Sequence, residues 1–302
     1  MTPPEPNTAV LDATNTEAEI KGRSLWSDAG YRLLQNKAAV VSGIILGIIV
    51  LLVVFAPAAS PFAFDEVDWE LISTPPDLAS GHLFGTDAIG RDLFVRTLEG
   101  GRISLLIGVI ATLVSLVIGI AYGATAGYIG GRTDNIMMRI VDILYAMPFM
   151  FFVILLMVFF GRHIFLIFIA IGAINWLDMA RIVRGQTLSL KRKEYIEAAQ
   201  ACGVGSFRII VRHIVPNLLG IVVVYVTLTI PQVILVESFL SFLGLGVQEP
   251  NTSWGALVNE GAQDMEQAPW ALLFPAGFLA TTLFCFNFIG DGLRDALDPK
   301  DR

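Results

Sequence analysis

The sequence predicts an all-α membrane protein with six transmembrane helices, and three observations carry that prediction. Hydrophobic residues fill 55% of the 302 positions and charged residues only 16%, where a water-soluble domain carries roughly a quarter charged. The charges are clustered, which leaves long stretches without any. Six of the apolar stretches approach the ~20 residues a helix needs to cross a bilayer.

Taken in order, residues 1–37 form a tail facing the cytoplasm. Its first 20 positions are rich in Pro, Thr, Asn, Asp and Glu, a composition that stays disordered. The first span, 38–57, carries no charge. It is longer than the 7–15 residues or so of a signal-peptide core, so it stays as an anchor. A long outer loop, 58–102, holds eight acidic residues and the pair Pro75-Pro76. Its end, "GTDAIGRDLFVRTLEGGRIS", reads as a turn and a short interfacial helix, with Asp92 and Arg96 paired one turn apart. This loop suits either plain solvation or contact with an extracytoplasmic partner.

The second span, 103–129, contains Gly119, Gly123 and Gly127 four apart, a small-residue stripe for close packing against its own bundle or another subunit. A third span, 137–160, places Arg139 and Asp142 near one membrane face. The fourth, 164–180, ends with Asp178 and Arg181, spaced for a local pair. A charged segment, 191–216, separates it from the fifth span, 217–236. The sixth, 268–289, leads into a tail, 290–302, in which Asp291, Arg294 and Asp295 are solvated. Pro231 and Pro275 are positioned to kink the last two spans. Of the 20 Lys and Arg, only Arg91, Arg96, Arg102 and Arg162 fall outside in this topology. That asymmetry puts both termini in the cytoplasm.

Several chemistries find no footing. The net charge of −7, with no basic stripe, excludes a nucleic-acid role. Cys202 and Cys285 give no structural disulfide, and His82, His163 and His213 lack metal-ligand spacing. Neither a G-x4-G-K-[S/T] loop nor a G-x-S-x-G elbow occurs. The chain reads as non-catalytic, without cofactor or metal.

The segment "EYIEAAQACGVGSFRIIVRHIVPN" (194–217) needs its own account. Glu194–Cys202 holds good helix formers, with Ala198, Ala199 and Ala201 giving a flat flank marked by one charge, Glu197. Gly203 interrupts the helix and Ser206 suits the N-cap of a second one. In that second helix Phe207, Ile210, Val211 and Ile214 share a face opposite Arg208 and Arg212, and Pro216 ends it. An amphipathic helix lying among lipid headgroups is one reading. Its small-residue first half suits docking of a protein better.

The order Glu197-Ala198-Ala199, Gly203 and Pro216 resembles the EAA motif of ABC importer permeases, with His213 and Val215 in place of the usual Ile and Leu. "GTDAIGRD", "GYIGGRTDNIMMR", "SFLGLGVQEPNTSWGALVNEG" and "FNFIGDGLRDALDP" are similar to the OppC/DppC-type permeases of binding-protein-dependent peptide and nickel importers. "GRSLWSDA" and "WLDMARIVRGQTLSLKRKEYIEAAQ" narrow the likeness to the oligopeptide branch of Gram-negative bacteria. The resemblance runs from about Arg23 to the end. It implies the type I ABC importer permease fold in the inner membrane, half of a pathway for oligopeptides. It also implies an OppB-type second permease, OppD- and OppF-type ATPase subunits, and a periplasmic OppA-type binding protein. In such permeases the EAA loop is the coupling helix, so Glu197, Ala198, Ala199, Gly203 and Pro216 become the ATPase-coupling residues.

Three polar residues at membrane depth remain. Glu237, near the outer end of the fifth span, either lines the peptide pathway, contacts the second permease, or reaches headgroups. Asn175 and Gln232 suit helix–helix hydrogen bonding first and the pathway second. Two other functions compete. A permease for dipeptides or nickel would share every motif but the finer ones, whereas an ion-gradient-driven transporter would show deep ionisable residues or broken half-helices.

Overall fold

A computed structural model describes residues 25–160 and 164–297. The expected disordered tail, Arg162, His163 and the last five residues lie outside that range. Among the described residues eleven α-helices follow one another: α1 Leu25–Gln35, α2 Lys37–Ala59, α3 Leu93–Ile129, α4 Gly131–Ala146, α5 Phe149–Phe160, α6 Ile164–Leu190, α7 Glu194–Ala201, α8 Ser206–Ile209, α9 Val215–Phe242, α10 Trp254–Gln263 and α11 Pro269–Leu297. Four described helical stretches are long and apolar enough to cross a membrane: α2, α3, the run Ser206–Phe242 containing α9, and α11.

The glycine stripe of α3 decides how the bundle closes. A Cβ on Gly119 would lie 2.4 Å from Met179 Cγ, one on Gly123 2.4 Å from the Ala180 carbonyl oxygen, and one on Gly127 2.9 Å from that of Arg184. The small residues therefore seat α6 directly on the backbone of α3, within the chain's own bundle. The register advances in the same sense on both helices, so α3 and α6 run parallel. Further along α3, Gly101 leaves room for the indole of Trp254, whose Nε1 donates to the Thr97 carbonyl at 2.9 Å. Trp254 is fully buried with Ile49, Val53 and Leu98, which ties α2, α3 and α10 into one core.

Helix boundaries differ from the sequence expectations for local reasons. No separate interfacial helix precedes the second span. Asp92 caps α3 by accepting from Val95 N at 2.8 Å, and the helix continues unbroken for 37 residues. The third apolar stretch is two helices, because Pro148 forces Met147 out of the helical region (ψ 132). Pro216 does not end a helix. It sits in the first turn of α9, directly after a π-helical turn at Ile210–Ile214 and inside the continuous helical run Ser206–Phe242.

Candidate coupling surface and membrane-depth polar groups

α7 is anchored from below and bare above. Ile196 is fully buried with Tyr128, Met179, Val183, Ile209, Ile214, Leu218 and Val222. Gln200 Nε2 donates to the Tyr128 hydroxyl at 3.2 Å, and Lys191 Nζ donates to the Tyr128 carbonyl. Tyr128 thus joins the end of α3 to both ends of the loop. Glu197 and Ala198 point outward and are exposed, while Ala199 is half-buried against the anchor.

The end of α7 is built by hydrogen bonds the sequence encodes. Gly203 N donates to the Gln200 carbonyl at 2.9 Å and Val204 N to that of Ala199 at 3.1 Å. This paired closure requires the left-handed φ of +76° that Gly203 adopts. Gly205, not Ser206, is the N-cap of α8, and Ser206 is its first helical residue. Next comes a π turn, Ile210–Ile214. Its wider spacing aligns residues five apart, so Ile209 and Ile214 are the buried pair, while Phe207 is 80% and Val211 51% exposed. The expected apolar face of Phe207, Ile210, Val211 and Ile214 is thereby split. Two bulky side chains are left exposed. Pro216 is exposed, and Asn217 Nδ2 donates to the His213 carbonyl at 2.6 Å.

Just inside this end, Arg184 holds Asp134 with two hydrogen bonds, 2.5 and 2.6 Å, which pins the start of α4 to α6. Arg184→Lys keeps the charge but loses the fork. We expect it to weaken α4 docking, read as faster amide exchange in residues 131–137 with the rest of α6 unchanged.

Arg181 does not pair with Asp178. Its Nη2 donates to Asp142 on α4 at 2.9 Å, and its guanidinium lies 4.5 Å from the centre of the Tyr145 ring. Asn175 is half-buried on α6, and Gln232 is exposed on α9. No described hydrogen bond joins either to a neighbouring helix.

Glu237 is fully buried. Ser104 Oγ donates to one carboxylate oxygen at 3.2 Å and Ser241 Oγ to the other at 2.6 Å. Ser241 also meets Ser253, the N-cap of α10, and Ser104 Oγ accepts from Trp254 N at 3.1 Å. One carboxyl group thus joins α3, α9 and α10. Ser241 stands one turn along the same helix, but Ser104 lies 133 positions back and Ser253 across a loop, so the local sequence does not signal the junction.

At the far end, Arg96 bonds Glu260 at 3.0 Å instead of Asp92. Asp92 accepts from His82 Nδ1 at 2.8 Å, both side chains buried. Arg91 reaches Asp87 at 2.6 Å and Glu249 at 2.9 Å. Burial disfavours charge on Arg91, but Asp87 and Glu249 outweigh it and hold its pKa above the ordinary value. For Glu260 burial wins over the two arginines and raises its pKa. These groups border a cleft of about 430 Å³.

Residues 119–302 match the family described as the binding-protein-dependent transport system inner membrane component, and residues 24–76 match the N-terminal TM domain of oligopeptide transport permease C. The chain is 62% identical over 296 residues to the oligopeptide transport system permease protein OppC of Escherichia coli (strain K12), covering 98% of each chain. It is 61% identical to the protein of that name from Haemophilus influenzae, covering 95% of this chain and 92% of the relative. Against the Bacillus subtilis protein of the same name the identity is 49%, covering 93% and 92%. The chain therefore belongs to the inner membrane components of binding-protein-dependent transport systems, among the OppC-type permeases.

Proposed function

We propose that the chain is the permease subunit of an ATP-driven importer that moves oligopeptides across the inner membrane, forming half of the pathway beside an OppB-type permease. Six spans with both termini in the cytoplasm fit the Lys and Arg distribution. This topology treats α4–α5 and α6 as the two spans beyond the four apolar stretches. ATP hydrolysis then belongs to OppD- and OppF-type subunits, and peptide capture to an OppA-type protein outside.

The observation that carries this reading is the α7 surface. A short helix with an acidic and alanine face outward, locked by Ile196 and Tyr128 to the end of α3, is built to receive a push and pass it on. Ala199 contributes to the anchor, Gly203 sets the bend, and Pro216 opens α9, through which the push continues. Asn175 and Gln232 line the pathway. Glu237 holds the outer helix α10 to the bundle instead of touching the peptide.

Glu197→Lys and Ala198→Trp alter only exposed positions of α7. Both variants should fold with the wild-type Tm and lose ATPase-subunit association by about ten-fold or more, as central contacts do. Wild-type co-purification of the ATPase subunits with both variants would refute the docking assignment.

A further inference from the structure

The seam with α3 sets charged groups of α4 and α6 deeper than the span bounds 137–160 and 164–180 imply, and they stand exposed on this subunit. α3 fixes the level: its apolar part, residues 103–129, spans ~40 Å at 1.5 Å per residue, so its midpoint lies near residue 116. Gly119 and Gly123 press on Met179, Ala180 and Val183, which puts Asp178 and Arg181 within roughly 10 Å of that midpoint. A hydrocarbon core is ~30 Å thick. Yet Arg181 and Asp142 are 40% and 57% exposed, and Tyr145 is 53% exposed. Asp178 is half-buried; among the described residues it makes no hydrogen bond or close ion pair, and its electrostatic neighbour is Arg181, one turn further along α6. Half-buried Tyr225 on α9 lies within electrostatic reach of both Asp178 and Tyr145.

Lipid is an unfavourable neighbour for such groups, and the cores of protein–protein contacts are depleted in charge. Water leaves them solvated. Two carboxylates, Asp142 and Asp178, around the single arginine Arg181 leave a net negative charge, and with phenol rings nearby that is also the chemistry that takes up an ammonium group. Arg139, one turn nearer the α7 end of α4, and Arg184, already held by Asp134, are the other cations near the site.

We propose that Asp178, with Tyr145, Tyr225 and the Asp142–Arg181 pair, forms a hydrated station on the transport pathway that binds the ammonium groups of passing peptides, at the N-terminus or on lysine. The proposal rests on the transport reading above and adds a named binding site to it.

The test uses the complete transporter in vesicles, with Cys202→Ser and Cys285→Ala as background. Tyr145→Cys is then exposed to two water-soluble thiol reagents, one cationic and one anionic. Both reagents should label it, the cationic one about ten-fold faster, as an acidic cleft concentrates cations. Adding Asp178→Asn should bring the two rates together, and Ile48→Cys, 52% exposed on charge-free residues of α2, should resist both. A lysine-rich peptide should slow labelling of Tyr145→Cys more than an acidic peptide does. No labelling of Tyr145→Cys, or an unchanged rate ratio with Asp178→Asn, overturns the station. Labelling is read independently of transport. If uptake and peptide-stimulated ATP hydrolysis are absent from the unsubstituted complex, the transport reading fails instead.

Discussion

Gly123→Val is expected to dissolve the α3–α6 seam and remove most of the folded protein. The new Cβ would meet the Ala180 carbonyl oxygen at 2.4 Å and Val183 Cβ at 2.9 Å. A backbone carbonyl in mid-helix cannot swing aside as a side chain does, so the helices must part. Separation then strips Gly119 and Gly127 of their own close contacts with α6. Overpacking in a close-packed core costs about 1–3 kcal/mol, and three linked seats along one seam place this change at or above the upper figure. Gly185→Val is the matched control, since a Cβ there meets nothing within 4 Å; it should stay within about 0.5 kcal/mol of wild type. Thermal unfolding in detergent, followed by the tryptophan signal, separates the two. Similar Tm values for both variants would mean the seam is softer than the geometry states.

Glu237→Ala carries the second large effect. It leaves the Ser104 and Ser241 hydroxyls without their acceptor inside the bundle, and it opens a hole where α3, α9 and α10 meet. Each orphaned buried donor costs about 1–3 kcal/mol. Because Ser104 also accepts from Trp254 N and Ser253 caps α10, the loss should spread to that helix. Glu237→Gln retains one acceptor and the volume, so it should lose less than half as much. Amide exchange is the direct readout: residues 254–263 should open in Glu237→Ala while α7 keeps its protection. If α10 stayed protected, the carboxylate would not be its tether.

The parts legible in the sequence are those that act over one or two helical turns. Apolar runs located the helices, glycines four apart announced a seam, and the Ala-rich turn before Gly203 announced a closed, exposed helix. Charged pairs do not follow from local spacing where the fold supplies a different partner. Arg96 passes over Asp92 to reach Glu260, 164 positions away, because Asp92 is occupied in capping α3 and holding His82. Arg181 takes Asp142 on another helix over Asp178. The π turn at Ile210–Ile214 escaped because a 3.6-residue period was assumed, and one wider turn moves Phe207 and Val211 outward. Glu237 was legible as an unusual residue but not as a junction, since its serine partners are ordinary residues until the fold gathers them. The break after Met147 was readable from Pro148 and was missed because hydropathy alone was followed.

In the proposed mechanism ATP-driven work enters through α7 and its Gly203 bend. Gly203 faces open space, so a large side chain there meets no neighbour within the chain. Its φ of +76° is nonetheless a conformation other residues adopt only at a cost of about 1–3 kcal/mol. The decisive measurement is peptide-dependent ATP hydrolysis and peptide uptake by the transporter reconstituted with its partners, wild type against Gly203→Trp. The account predicts ATP-dependent uptake by wild type, and a variant that still assembles but loses both peptide stimulation and uptake. Wild-type uptake that proceeds without ATP, or a Gly203→Trp transporter with full coupling, would contradict it.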